Sequence, residues 1–281
     1  MSRRIRGVRR GLALLFLLAG GIAFVALDLS FSGGESSGST LFSDFMRDAL
    51  RPALGYERPD EVPGGAPSFL SGLARALVAT LAFAAASLTL ALLLALPLGF
   101  LASSNFWRRD PGAGRSRSPV GFTVQGAVRV LLAGMRSVHE LLWCVLFLAA
   151  LGLSPATGVI AIALPFAGTL ARLFADMLDE VPGEAALGVR ATGASSLEVL
   201  CVGVLPRALP DMAAYAFYRF ECAVRSSAVL GFFGFETLGY GLKLSFENQH
   251  YREVWTYLYA MMALVLILEA WSAALRRRFV A

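Results

Sequence analysis

Six long apolar runs, separated by short polar connections, are the feature that most limits what this chain can fold into. Each run is close to or longer than the roughly 20 residues that an α-helix needs to cross a bilayer. The chain is 57% hydrophobic and only 16% charged, against about 25% charged residues in ordinary soluble domains. The sequence therefore predicts an all-α integral membrane protein of about six transmembrane helices. The predicted transmembrane segments are 10–28, 73–102, 121–151, 156–178, 204–226 and 253–275.

This pattern divides the chain into three predicted domains. Residues 1–28 form an N-terminal transmembrane helix, residues 29–68 an extracytoplasmic segment, and residues 69–281 the main transmembrane domain. The basic start of the chain also fits a secretory signal, but no small-x-small cleavage site precedes Asp28, which favours an uncleaved helix. Within the extracytoplasmic segment, the stretch "FSDFMRDAL" is predicted to form a short helix, lying either on the membrane surface or in water.

The placement of arginine predicts the orientation in the membrane, because cytoplasmic loops of membrane proteins are enriched in arginine and lysine. Arginines cluster before the first segment, between the second and third, and after the sixth, whereas residues 28–68 hold seven acidic residues and three arginines. Both termini are therefore predicted to be cytoplasmic, and so is the connection between the fourth and fifth segments. The arginines concerned are Arg3, Arg4, Arg6, Arg9, Arg10, Arg108, Arg109, Arg115, Arg117, Arg276, Arg277 and Arg278.

The connection between the fourth and fifth segments carries signals for an elbow of two helices. Pro182 suits the first turn of a helix, and Glu184 lies where a helix N-terminus favours a negative charge. Good helix-forming residues follow as far as Gly193, and either Ser195 or Ser196 is placed to cap a second helix that enters the membrane. Such a projecting helix is either a docking surface for a soluble partner or an ordinary hairpin connection.

Several motifs decide between these alternatives by resemblance to a known family. The pair Gly193-Ala194, followed by Leu205-Pro206, resembles the coupling motif of permease subunits of binding-protein-dependent ABC importers. The stretches "PLGFLASSN", "RSVHELLW" and "YRFECAVRSSAVLG" are similar, in the same order, to the phosphonate-type branch. The resemblance covers about residues 70–275 and implies a type I ABC importer permease fold, whose cytoplasmic coupling helix docks into a cleft of the ATPase subunit.

The chain departs from the family pattern at three places. Leu187 stands where the family has an acidic residue six positions before the coupling glycine, although Glu184 lies one helical turn earlier on nearly the same face. His139 replaces a proline of the branch, and Glu236 and Thr237 replace glycines. The residues that the resemblance assigns to ATPase coupling are Glu184, Leu187, Arg190, Gly193, Ala194 and Pro206.

Charged residues inside the predicted spans are the candidates for a solute pathway. A charge at the centre of a membrane helix costs about 2.5–3.5 kcal/mol on insertion scales, so these side chains are expected to face the bundle interior or water. Glu221 and Arg225 are spaced to pair along one helix face. The charges form either structural salt bridges or a polar lining whose arginine excess favours oxyanions, with Arg225 expected to matter more than Arg219. The candidates are Arg136, His139, Glu140, Arg219, Glu221, Arg225 and Glu236.

The sequence offers no ATP-binding motif of its own. A Walker A loop needs a lysine after its glycine-rich turn, and nothing of this kind surrounds Lys243, the one lysine of the chain. No cluster has metal-ligand spacing. The resemblance therefore implies a transport subunit, not an enzyme, without a cofactor of its own, in which ATP and Mg are bound by a partner ATPase.

The resemblance also implies the partners and the place of this subunit. An ABC ATPase dimer, an extracytoplasmic solute-binding protein and either a second permease copy or a homologous permease are expected, in a bacterial cytoplasmic (inner) membrane and without nucleic acid. The expected solute is phosphonate, phosphite or a related oxyanion. The alternative functions are an ion-coupled secondary transporter, for which the sequence lacks the usual internal repeat, and an intramembrane enzyme built on His139, Glu140 and the pair Ser226-Ser227.

Overall fold

The computed structural model describes residues 2–26, 37–61, 65, 67–107 and 119–279, and the regular structure in these ranges is helical throughout. The all-α prediction is therefore confirmed. The chain forms two compact units, Met1–Arg47 and Asp48–Ala281. The α-helices are α1 (Ser2–Ala26), α2 (Ser37–Asp48), α3 (Phe69–Ala102), α4 (Ser104–Trp107), α5 (Pro119–Ser137), α6 (Glu140–Leu151), α7 (Pro155–Glu180), α8 (Gly183–Arg190), α9 (Ser196–Glu198), α10 (Leu205–Val229), α11 (Leu238–Glu247) and α12 (Tyr251–Phe279).

The first unit contains α1 and nearly all of α2. The apolar part of α1 is Gly11–Ala26, which is shorter than the predicted segment 10–28, whose last two residues lie outside the described ones. Helix α2 covers most of the "FSDFMRDAL" stretch, as predicted. Arg47 and Asp44 face each other across one turn of this helix, with 3.6 Å between their side chains.

Four helical stretches in the described residues are long and apolar enough to cross a membrane by themselves. They match four of the predicted segments: Phe69–Ala102, Pro155–Glu180, the continuous stretch Ser196–Phe233 and Tyr251–Ala274. The predicted segment 121–151 is instead a pair of helices, α5 and α6, bent by 89° where they meet. The apolar pattern runs through this bend because both helices are apolar, so hydropathy alone indicated one span.

Helix α7 forms the centre of the second unit and packs against α3, α5, α6 and α10. Its closest neighbour is α3, which presents small residues such as Ala91 and Ala95 to the interface. Gly99 lies at the tightest point, because a Cβ added there would be 3.1 Å from the carbonyl oxygen of Ala171 and 3.2 Å from Cβ of Phe174. Close backbone approach through small residues is how membrane helices gain packing energy without a hydrophobic driving force between them.

The fifth predicted segment begins earlier than expected, because the chain is already helical from Ser196. A π-helix, Val199–Val204, connects α9 to α10. Pro206 explains this irregular turn. It has no N–H to donate to the carbonyl of Val202, so the regular series of α-helical hydrogen bonds is interrupted there. Pro206 instead lies in the first turn of α10, where the missing donor costs little, while Pro210 lies inside the helix.

Residues 49–57 lie against the start of α12. The amide of Ala53 donates to the carbonyl of Arg252 at 3.2 Å, and the hydroxyl of Thr256 donates to the carbonyl of Ala53 at 2.7 Å. The hydroxyl of Tyr259 donates to the carbonyl of Ala49 at 2.8 Å. These bonds fix a segment that has little regular structure of its own.

Glu57 caps the first turn of α12 in this region. Its carboxylate accepts a hydrogen bond from the amide of Arg252 at 3.0 Å, and its own amide donates to the carboxylate of Glu253 at 2.8 Å. Burial raises the pKa of Glu57 above its usual value, and the neighbouring carboxylate of Glu253 raises it further, against the lowering effects of the Arg252 amide and of the charges on His250 and Arg252. Protonation of this carboxyl is therefore easier in the folded protein than in the unfolded chain.

Candidate functional site

The predicted elbow is present, and its turn depends on Gly193. Helix α8 starts directly after Pro182, which lies before the first turn instead of in it, and ends at Arg190. Gly193 has a φ of 85°, in the left-handed region that side chains disfavour. A Cβ added at this position would meet nothing within 4 Å. Gly193 is therefore required by its backbone conformation and not by close approach of a neighbour.

Ser195 begins the second arm of the elbow. Its hydroxyl accepts a hydrogen bond from the amide of Glu198 at 3.4 Å, and the carboxylate of Glu198 accepts one from the amide of Ser195 at 2.7 Å. This is a capping box, which satisfies two amide groups at a helix start. The sequence left Ser195 and Ser196 as alternatives, and the structure selects Ser195.

Helix α8 packs one face on the body of the protein and exposes the other. Ala186 packs against the core, whereas Glu184 and Leu187 are both exposed. Leu187 keeps 45% of its surface accessible. The two residues are three positions apart and therefore lie side by side on the helix surface.

The remaining residues predicted for coupling divide into two groups. Ala194 is partly buried and Pro206 is exposed. Arg190 instead turns towards the body of the protein, where its Nη2 lies 3.5 Å from the carbonyl oxygen of Asn105. The structure therefore gives Arg190 an intramolecular contact, which the sequence did not indicate.

The structure places the charges of the predicted spans in separate surroundings. Arg219 donates from Nε to the hydroxyl of Tyr215 at 2.8 Å, and its guanidinium lies 5.5 Å from the ring centre of Phe166 and 5.3 Å from that of Tyr215. Aromatic faces attract a cation but do not neutralise its charge. Arg219 therefore keeps its positive charge while being held between α7 and α10.

Glu221 and Arg225 form the predicted ion pair. Nη2 of Arg225 lies 2.9 Å from Oε1 of Glu221. Glu221 is buried, whereas half of the Arg225 side chain is exposed. A buried carboxylate is stable only when it is paired, so this arginine neutralises Glu221 while part of its guanidinium stays accessible.

The bend between α5 and α6 gathers three of the predicted pathway residues. His139 caps α6, because its Nδ1 accepts a hydrogen bond from the amide of Leu141 at 3.3 Å. The carboxylate of Glu140 accepts a hydrogen bond from the hydroxyl of Ser226 at 2.9 Å and lies 3.6 Å from Nε2 of His139. Arg136 is exposed at the end of α5. Glu140 thus connects α6 to α10 through Ser226, the residue that follows Arg225 in the chain.

Glu236, the last of the predicted pathway residues, is separate from the others. It is exposed in the turn that precedes α11, and no hydrogen bond or ion pair joins it to another candidate within the described part of the chain. Its neighbour Thr237 is buried and donates its hydroxyl to the carbonyl of Ala228 at 3.1 Å. Of the two residues that stand in place of glycines, Thr237 therefore has a structural contact, whereas Glu236 forms no hydrogen bond or ion pair with the described residues.

Two features near these residues were not indicated by the sequence. The first is a cluster of hydrogen bonds around Asp179, at the end of α7, which binds the turn Ser103–Asn105. The second is an open groove of about 420 Å³ between the end of α7 and the first half of α10, at which Tyr215 also contacts Arg219. Among the described residues, no group of three or more His, Cys, Asp or Glu side chains could hold a metal ion. The groove is lined by Met177, Glu180, Asp211, Ala214, Tyr215 and Tyr218.

Comparison with known proteins supports the resemblance found in the motifs. A family model described as "Binding-protein-dependent transport system inner membrane component" matches residues 95–280. The phosphite transport system permease protein PtxC of Stutzerimonas stutzeri is 36% identical over 208 residues, which cover 73% of this chain and 70% of that protein. The phosphate-import permease protein PhnE of Mycolicibacterium smegmatis is 30% identical over 200 residues, which cover 71% of this chain but only 35% of that protein.

Solved structures show the same fold. A chain in an inward-facing structure of the MetNI methionine ABC transporter aligns with a TM-score of 0.63 at 21% identity, covering 75% of this chain and 97% of that one. A chain of an amino acid ABC transporter aligns with a TM-score of 0.60 at 15% identity, covering 76% and 99%. At these identities the likeness concerns the fold alone. The predicted resemblance to ABC importer permeases is confirmed by the family match together with this fold.

Proposed function

We propose that this chain, which belongs to the family of binding-protein-dependent transport system inner membrane components, carries phosphite, phosphonate or a related oxyanion through the membrane as the permease subunit of an ATP-driven importer. The observation that carries the proposed solute class is the 36% identity to a phosphite transport permease over 73% of this chain. A sequence this similar over most of a membrane domain has the same fold. The oxyanion preference also agrees with the arginines on the helices of the bundle, of which Arg219 is partly buried.

Helix α8 is the proposed coupling helix, on which the partner ATPase would dock. The support is the exposed pair Glu184 and Leu187, together with the rigid turn at Gly193. An amphipathic helix that fits a groove presents its contact residues at such spacing. Glu184 would offer, one turn earlier, the acidic group that the family has at the position of Leu187, and the leucine would add an apolar contact. Ala194 and Pro206 would border the same surface.

The complete importer would contain partners at both faces of the membrane. The ATPase dimer, which would bind ATP and Mg, lies on the cytoplasmic side with both termini of this chain. A second permease, identical or homologous, completes the passage, and a solute-binding protein delivers the oxyanion to the outer face. The arginine-rich connections and the acidic segment 28–68 support this orientation.

Arg219 is the stronger of the two arginine candidates for attracting the anion. The carboxylate of Glu221 neutralises Arg225 at 2.9 Å, whereas Arg219 is held by a tyrosine hydroxyl and two aromatic rings, which leave its charge in place. A positive charge beside low-dielectric walls attracts an anion more strongly than the same charge in water. Arg225 would then serve mainly as the partner of the buried Glu221 carboxylate.

Uptake by the reconstituted importer tests this function. The chain is expressed with a candidate ATPase and solute-binding protein and placed in liposomes, and uptake of labelled phosphite, methylphosphonate, phosphate and methionine is measured with and without internal ATP. We expect ATP-dependent uptake of at least one of the phosphorus oxyanions and none of methionine. Uptake that is driven by an ion gradient without the ATPase would refute the proposal in favour of a secondary transporter.

A further inference from the structure

The end of α7 carries a carboxylate with an unusually complete set of donors. Oδ1 of Asp179 accepts from the hydroxyl of Ser103 at 2.7 Å, from the amide of Ser104 at 2.8 Å and from the amide of Asn105 at 3.0 Å. Nη2 of Arg129, on α5, lies 3.7 Å from Oδ2. A carboxylate that binds several amides and a guanidinium holds its ligands far more firmly than a neutral acceptor does. Asp179 thus fixes the turn where α3 ends and α4 begins.

The turn Ser103–Asn105 is also connected to the proposed coupling helix. The side-chain amide of Asn105 donates to the carbonyl of Leu178 at 2.8 Å, and the carbonyl of Asn105 faces the guanidinium of Arg190 at 3.5 Å. A single residue, Asn105, therefore stands between the last turn of α8 and Asp179. It contacts α7 through its amide and its side chain, and α8 through its carbonyl.

Helix α5 is attached to the same place. Nε of Arg129 donates to the carbonyl of Ala102 at 3.1 Å, and the amide of Gln125 donates to the same carbonyl at 2.9 Å. The carbonyl of Ala102, at the last turn of α3, lacks a partner within its own helix. Its two donors from α5 therefore bind the end of α3, next to the turn that Asp179 holds.

Two of the helices joined here, α3 and α7, are packed very closely. Helices α3 and α7 approach so closely at Gly99 that an added Cβ would lie 3.1 Å from the backbone of α7. A displacement of the end of one of them therefore displaces the other. Close-packed elements transmit small shifts as discrete movements because they cannot deform continuously.

We propose that Asp179 is a positioning residue that locks the turn Ser103–Asn105 to both α7 and the coupling helix, so that α8 and the α3–α7 pair move together. The inference rests on the proposed function of α8, which would receive the movement of the ATPase. Without Asp179, the coupling helix would still be present and still dock, but its movement would be lost in the loosened turn. The predicted defect is one of coupling and not of ATP hydrolysis.

The test compares Asp179→Asn with a matched control, Asp176→Asn, in the complete importer. Asp176 lies one turn earlier on the same helix and also pairs with an arginine, Arg172, at 3.0 Å. An asparagine at position 179 would present an NH₂ group or a neutral oxygen to donors that need a carboxylate. We expect Asp179→Asn to retain the ATPase and its basal hydrolysis while solute carried per ATP falls by about tenfold, near the lower end of usual coupling energies. Asp176→Asn should behave like the wild type.

A double-mutant cycle with Arg190→Gln separates transmission from simple stabilisation. If both residues act through Asn105, the double variant should transport no worse than the poorer single variant. If the fold-losses of transport in the two single variants instead multiply in the double variant, their free-energy effects add. Asp179 and Arg190 would then act independently, which would overturn the proposal. Equal behaviour of Asp179→Asn and Asp176→Asn would overturn it as well.

Two further measurements keep the test decisive. If Asp179→Asn does not assemble, Ser103→Ala is used instead, because it removes one hydrogen bond to Asp179. Ser103→Ala should also lower the amount of solute carried per ATP. A wild-type amount of solute per ATP in Ser103→Ala would then overturn the proposal. If the wild type carries none of the oxyanions, the proposed solute is wrong. The coupling is then measured as stimulation of ATP hydrolysis by the binding protein, which Asp179→Asn should reduce and Asp176→Asn should not.

Discussion

Replacing Gly193 with alanine should weaken the elbow by an amount that follows from its backbone alone. Gly193 has a φ of 85°, and an added Cβ would meet no atom within 4 Å. The cost is therefore conformational, roughly 1–2 kcal/mol for a side chain in the left-handed region. If α8 binds the ATPase only when the turn is formed, the same free energy appears as a loss of affinity of about 5- to 30-fold.

Gly193→Asn distinguishes this reasoning from a steric effect. Asparagine is larger than alanine but tolerates the left-handed conformation better, so the affinity of Gly193→Asn should lie between those of the wild type and Gly193→Ala. Gly188→Ala is the matched control, since Gly188 is an exposed residue inside α8 with no atom near an added Cβ. It should leave the affinity unchanged or raise it slightly, because alanine favours a helix.

The assay is binding of the purified ATPase to the permease in lipid nanodiscs, combined with amide hydrogen exchange over residues 183–198. Exchange should rise in Gly193→Ala and remain at the wild-type level in Gly188→Ala. The reasoning fails if asparagine is worse than alanine, because size and not conformation would then be decisive. It also fails if Gly193→Ala and Gly188→Ala bind the ATPase equally.

Three other predictions concern the orientation in the membrane, the partly buried carboxyl of Glu57 and the arginines Arg219 and Arg225. In a cysteine-free background, Leu50→Cys should react with an impermeant thiol reagent in intact cells and Gly188→Cys only after lysis; labelling of both from one side would contradict the proposed orientation. Because the pKa of Glu57 is raised in the folded state, the folded state binds more protons than the unfolded one, so stability should fall as pH rises from about 4.5 through the raised pKa. Glu57→Gln should reduce this slope in thermal unfolding scans, and an unchanged slope would exclude Glu57 as its origin. Arg219→Lys should lower oxyanion uptake by about tenfold, since lysine lacks the planar fork that stacks on rings and holds oxyanions, with the ATPase still bound; a larger loss in Arg225→Lys than in Arg219→Lys would reverse the assignment.

The sequence by itself determined the features that depend on residues close to one another along the chain. The length of the apolar runs gave the all-α membrane class and four of the spans, because each helix satisfies its backbone hydrogen bonds internally. Gly193 and the serines after it indicated the elbow, since helix ends depend on residues within one turn of them. The spacing of Glu221 and Arg225 predicted their ion pair for the same reason, and its 2.9 Å contact lies within one helix.

Only the tertiary structure decided which distant residues meet. Asp179 binds Ser103, 76 positions earlier in the chain, and Glu140 binds Ser226, 86 positions later. Helical periodicity places a residue on a face but does not select the helix that this face will contact. The attachment of Arg219 to Phe166 likewise depends on the packing of α10 against α7. The position of α7 at the centre of the bundle, which a local pattern cannot specify, therefore decides which of these distant side chains come into contact across it.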